Sequence, residues 1–205
     1  MAKVLVTEEK LNFAIEYFNE LNEKEYIKIL NDFQKEQIHL RDYLQELNAG
    51  FELDSELFDD VMDMTLIIWK AFKDSNNNVF PIVTDDIIDQ VEIEAENADN
   101  ELAKSLGINL DDEKVDLSKL KTINDKFKAG DVDSPEELLK LIEKNNLGDF
   151  LKKSEGSHTE NQEVLTDFVY EEVYSMEDIE AVDASACCDI LFDVIKCFDK
   201  TINKK

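Results

Sequence analysis

The sequence predicts an all-α fold of roughly eight to ten helices, arranged as two pseudo-repeated four-helix units joined by an acidic connecting helix. Three observations lead there. Apolar residues recur at three- and four-residue spacing along most of the chain, which is the period of one helical face. Two prolines and five glycines punctuate 205 residues, too little turn chemistry for a sheet protein and ample for helices. Short blocks also recur in order: Glu25-Tyr26-Ile27-Lys28-Ile29-Leu30 is echoed by Glu137-Leu138-Leu139-Lys140-Leu141-Ile142, Gln37 to Leu44 by Gln162 to Val169, and Trp69-Lys70-Ala71-Phe72 by Ile195-Lys196-Cys197-Phe198. The second and third echoes are spaced roughly a dozen residues wider than the first, a difference that one insertion at Lys152 to Thr159 would absorb.

The first helix is read from Thr7, an N-cap type, followed by Leu11, Ala14, Ile15, Phe18 and Leu21 on one face. Tyr26, Ile29, Leu30 and Phe33 continue the pattern, and Leu40, Tyr43, Leu44 and Leu47 resume it after the polar run Gln34 to Gln37, the candidate break. Asn48-Ala49-Gly50 reads as a helix stop. A further helix is expected from Ser55 to about Asp74, and its middle, Val61 to Phe72, is apolar nearly all round. Such a helix must be covered on every side, so it should be central. Ala184 to Phe198 has the same character.

After the loop at Asn76-Asn77-Asn78 and Pro81, Thr84 opens a helix over 85–106 that Gly107 closes. Ile88, Val91, Ala95, Ala98 and Leu102 form its apolar stripe, while Asp85, Asp89, Glu92, Glu96 and Asp99 form an acidic one. In the second half, Leu117, Leu120, Ile123 and Phe127 pattern a helix, and Ser134-Pro135-Glu136-Glu137 is a strong helix start. One body over 1–205 is expected, with sub-units at 7–74, 84–106 and 115–203.

Charge is the compositional outlier. Lys and Arg number 22 against 49 Asp and Glu, giving a formal net charge of −27. That field repels phosphate backbones and anionic lipid, which argues against direct nucleic-acid or membrane binding and favours basic protein surfaces. Lys and Arg are absent from Asp74 to Ala103 and from Ser154 to Ile195. The expected partner-binding carboxylates therefore lie on those stretches: Asp85, Asp89, Glu92, Glu96 and Asp99, with Glu171, Glu172, Glu177, Asp178 and Glu180. Solubility alone is the competing explanation for the acidity.

No apolar run approaches the roughly 18 residues that cross a bilayer, so a soluble protein is expected. Cys187, Cys188 and Cys197 cluster in one helical stretch, which fits a reducing cytoplasm and thiols acting as small core hydrophobes. Their acidic neighbours would push a thiol pKa upward, against nucleophilic use.

Glu36-Gln37-Ile38-His39 has a di-iron-type spacing, but its partner motif is missing and His39 aligns with Val164 in the echo. A packed or rim histidine is the better reading. Asp131 and Asp133 lack the glycine and final glutamate of a calcium loop, and Asp59, Asp60 and Asp63 would attract Mg²⁺ only weakly. No nucleotide-binding or hydrolase motif occurs. No catalytic residue, cofactor or metal is assigned.

Two polar positions survive between the echoes, Gln37 with Gln162 and Asp42 with Asp167, and should do a repeated structural job. The expected function is a non-catalytic intracellular adaptor, regulator or inhibitor of a basic partner. A nucleic-acid mimic and a helical enzyme or small-molecule binder with a cavity between the units are the alternatives.

Overall fold

Seven helices account for most of the backbone in the computed structural model, which describes residues 3–105, 162–176 and 179–203. They are α1 (Glu8–Asn19), α2 (Glu23–Glu36), α3 (Ile38–Phe51), α4 (Ser55–Ser75), α5 (Asp85–Ser105), α6 (Glu163–Ser175) and α7 (Ala181–Asn203). No strand occurs among the described residues. None of the described helices is long and apolar enough to cross a membrane. The expected helices around Leu117 to Phe127 and after Ser134, the echo at Glu137, the insertion at Lys152 to Thr159, His158, and the pair Asp131 and Asp133 all lie outside the described residues.

Local chemistry sets the helix ends. The Thr7 hydroxyl accepts from the Lys10 amide at 3.4 Å, capping α1. Asn22 and Glu25 form a capping box on α2. Asp54, rather than Ser55, caps α4, accepting from the amides of Glu56 and Leu57 at 2.9 and 3.0 Å. The stop expected at Asn48 to Gly50 falls slightly later. Gly50 is helical, α3 runs to Phe51, and Glu52 takes the left-handed conformation with φ 56°. Beyond α4, Asn77 and Asn78 both adopt positive φ, which asparagine tolerates better than most residues, and the Asn78 amide returns to the Lys73 carbonyl at 2.8 Å.

The break between α2 and α3 falls at Gln37, with φ −125° and ψ 50°, which interrupts what would otherwise be one long helix. Gln162 opens α6 with nearly the same backbone, φ −133° and ψ 46°.

The core belongs to a compact unit formed by residues 1–92 and 158–205; residues 93–157 group separately, and of these only the remainder of α5 is described. As the apolar pattern requires, α4 is central to the first unit: Val61, Met64, Leu66, Ile68, Trp69, Ala71 and Phe72 are buried on several sides of it. It packs against α1 and α7, and α7 packs against α6 and α3. The Phe72 and Phe198 rings meet edge to face at 5.7 Å, and Phe80 wedges against both at 6.2 and 4.9 Å. The first turns of α5 close the core with Ile87, Ile88 and Val91.

Candidate functional site

Two helix N-termini converge with their carboxylates on one cleft. Asp54, Glu56, Leu57 and Asp60 come from the start of α4, Glu180 and Asp183 from the start of α7, and Met176 and Ile179 from the connection before it. The cleft has a volume of about 530 Å³ and no Lys or Arg among these lining residues. Five carboxylates gather there because each helix start tolerates negative charge: unpaired N–H groups and the helix dipole partly offset it. The same logic distributes charge along both helices. Glu56, Asp59, Asp60 and Asp63 occupy the first half of α4, with Lys70, Lys73 and Asp74 in the second; on α7 Asp183 and Asp189 precede Lys196 and Lys200, which are interspersed with Asp193 and Asp199.

Lys70, Lys73 and Lys196 of these helices pair with other carboxylates. Lys70 pairs with Asp74 and lies over the rings of Phe13 and Tyr17 at 5.2 and 4.9 Å. Lys73 pairs with Glu36 at 2.9 Å and sits 4.3 Å from the Trp69 ring. Lys196 pairs with Asp193 at 3.3 Å.

The uncompensated field is felt by its neighbours. Burial raises the Cys187 thiol to about 11, and the carboxylates Asp183, Asp60 and Asp54 add to the rise. Cys188 is pushed to about 12 by burial, then by Asp189 and Cys187. Burial and Asp193 drive Cys197 upward as well, while Lys196 and Lys200 oppose them. All three are buried free thiols, protonated near neutrality. One turn from the cleft, burial raises the Asp63 carboxyl above its ordinary range; the Tyr26 hydroxyl, hydrogen-bonded to it, opposes this, and Asp60 and Asp59 reinforce it.

The carboxylates expected from sequence divide. Glu180 lines the cleft. Glu171 and Glu172 are exposed on α6, and Asp89, Glu92 and Glu96 on α5. Asp85 is exposed too, but its carboxylate is 2.7 Å from His39 Nδ1. That contact makes His39 a rim residue. Its motif partner Glu36 holds Lys73 instead, so the two do not share a site. Glu177, Asp178 and the Asp99 side chain lie outside the described residues. Sequence reasoning missed Asp54, Glu56 and Asp183 and weighed Asp60 only as part of a weak Mg²⁺ cluster, since each reads locally as an ordinary helix-start acid; their convergence depends on how α4 and α7 pack. No group of three or more His, Cys, Asp or Glu among the described residues is arranged to hold a metal ion.

The paired glutamines are buried and have matching contacts. Gln37 Oε1 accepts from the Val83 amide at 2.9 Å, and its Nε2 donates to the Pro81 carbonyl at 3.2 Å. Gln162 Oε1 accepts from the Val6 amide at 3.0 Å, and its Nε2 donates to the Val4 carbonyl at 3.2 Å. Asp42 and Asp167 share no such contact: Asp42 takes the Arg41 guanidinium, and Asp167 is exposed. No protein-family model matches the chain, and neither a characterised protein nor a solved structure shows significant similarity to it.

Proposed function

We propose that this is a non-catalytic acidic interaction protein, an adaptor, regulator or inhibitor, that receives a basic segment of a partner protein in the cleft at the starts of α4 and α7. The observation that carries the reading is the composition of that cleft. Five carboxylates surround Leu57, Met176 and Ile179 with no lining cation, which suits an amphipathic segment bearing Lys or Arg beside aliphatic side chains. The exposed acids of α5 and α6 would then steer the partner rather than grip it.

The test uses a labelled peptide of alternating Lys and Leu on the full chain. Its affinity should fall about tenfold between low and moderate salt. The double variant Asp60→Lys with Asp183→Lys should remove binding, whereas Glu8→Lys with Glu9→Lys, equal in charge but placed at the start of α1, should leave most of it. Equal losses from both variants would reduce the effect to net charge and defeat the reading. With a physiological partner in hand, mutual exclusion with DNA would instead favour nucleic-acid mimicry.

We infer also that the chain contains a duplicated helical block. What supports this is burial at matched positions. The buried set Val61, Met64, Thr65, Leu66, Ile68, Trp69, Ala71 and Phe72 of α4 corresponds, at one constant spacing, to Cys187, Ile190, Leu191, Phe192, Val194, Ile195, Cys197 and Phe198 of α7, all buried. Leu40, Tyr43 and Leu44 of α3 correspond likewise to Leu165, Phe168 and Val169 of α6. Val6-Thr7 with Leu11 and Ala14 corresponds to Val83-Thr84 with Ile88 and Val91. In this frame α5 is the counterpart of α1 rather than a connector, and the length difference between the copies falls between α5 and α6.

A further inference from the structure

The segment before α1 is held in a way that fixing it in place does not require. Asn203, in the last turn of α7, reads both backbone groups of Val4: its Oδ1 accepts from the Val4 amide at 2.7 Å and its Nδ2 donates to the Val4 carbonyl at 3.1 Å. Gln162 reads the same carbonyl and the Val6 amide two residues on. Side-chain amides thus imitate a neighbouring strand, which is how extended peptides are recognised through their main chain.

The readers are set up independently of what they read. Asp199 Oδ1 accepts from Gln162 Nε2 at 2.7 Å and from Asn203 Nδ2 at 3.0 Å, which orients both amides. Its other oxygen is left to face Lys3 Nζ at 3.6 Å. Along the segment, Val6 is buried and Leu5 is 49% exposed. The clasp at Gln37 has no comparable support. Among the described residues its side chain hydrogen-bonds to Pro81 and Val83 alone, in a segment that joins α4 to α5.

We propose that Gln162, Asp199 and Asn203 form a reader of extended peptide that holds Lys3 to Val6 as an internal ligand. A partner segment with the same order of groups, namely a cation, an aliphatic residue, an unread position and a buried aliphatic residue, takes its place. Recognition of the main chain supplies the grip, the hole filled by Val6 selects the last residue, and Asp199 selects the cation. This site shares no residue with the acid-lined cleft, so either can fail without the other.

The internal segment competes at an effective concentration in the millimolar range, which sets the conditions of the test. The full chain is mixed with the synthetic peptide Lys-Val-Leu-Val-Thr-Glu at about 10 mM, above that effective concentration. Amide exchange at Val4 and Val6, followed by NMR, should quicken several-fold while exchange at Leu66 holds steady. A control peptide with Glu in place of Lys should do markedly less. Weakening the internal ligand should help the peptide: Lys3→Glu, which alters an exposed side chain, and Val4→Pro, which deletes the amide read by Asn203, should each tighten binding of a labelled peptide, by about tenfold if the open site is a minor state in the natural chain. Adding Asn203→Leu should abolish that gain. Unchanged exchange at Val4 and Val6, or equal affinity for the natural and Lys3→Glu chains, overturns the proposal.

Discussion

Gln37 and Gln162 each use one side-chain amide to bond an N–H and a C=O two residues apart on an extended segment, Pro81 to Val83 in one case and Val4 to Val6 in the other. Both glutamines are buried, and both stand where a helix begins without a side-chain cap of its own. The amide supplies to a neighbouring segment what a strand partner would supply elsewhere.

Replacing either glutamine with leucine should therefore be costly. The buried amide of Val83 or Val6 loses its acceptor, at about 1–3 kcal/mol for an unsatisfied buried group. Urea unfolding should show a lower midpoint with an unchanged slope. A shift within a few tenths of a kcal/mol would mean that water readily replaces the amide.

Phe72 and Phe198 touch at the crossing of α4 and α7, and both are fully buried. Truncation of either to alanine should cost about 3–5 kcal/mol. Because they share one contact, the double variant should depart from the sum of the singles by about 0.5–3 kcal/mol. Strict additivity in the double-mutant cycle would rule out the ring contact as an energetic unit.

Alkali should destabilise the fold through the thiols. A thiol whose pKa is higher in the folded chain keeps its proton longer there than in the unfolded chain. Its contribution is complete below the ordinary value of 9.0 and is lost as pH rises towards about 11 for Cys187 and about 12 for Cys188. Tyr26 and Tyr43 act in the same sense, raised first by burial and then by Asp63 and Asp193. The urea midpoint should thus drop as pH rises from 9.0 towards about 11; a flat profile across that window would contradict the burial of these groups.

Salt should act oppositely on stability and on binding. A chain of net charge −27 repels itself, so screening should raise the melting temperature while weakening capture of a basic peptide. Asp60→Lys should be no less stable than the natural protein, since it relieves repulsion from Asp54 and Asp63 at little cost in packing. Melting curves at about 20 and 300 mM salt separate these effects. A melting temperature that falls with added salt would show that attractive ion pairs outweigh the repulsion.

Much of the helical layout is legible in the sequence because capping and periodicity act over a few residues. Thr7, the polar run Gln34 to Gln37, at whose last residue the break falls, the loop at Asn76 to Asn78 and the start after Thr84 all mark real boundaries. Gly50 misleads because a glycine near a helix end is a preference that one extra turn can override. The recurrence of glutamine could be seen in the chain, but its task could not. Side-chain partners 44 and 46 residues away for Gln37, and 156 and 158 away for Gln162, leave no local trace.

The sequence by itself determined that the described part of this chain is helical, that α4 and α7 are buried helices, and that the chain carries a strongly negative charge, since each follows from residue type and spacing. Only the tertiary structure decided which acids stand together. The packing of α7 on α4 brings Asp54, Glu56 and Asp60 onto one cleft with Glu180 and Asp183, and the meeting of the segment before α1 with the start of α6 seats Val6 against Gln162. The reason is physical: helix formation depends on neighbours in sequence, whereas clefts and clasps depend on how close-packed cores orient whole helices.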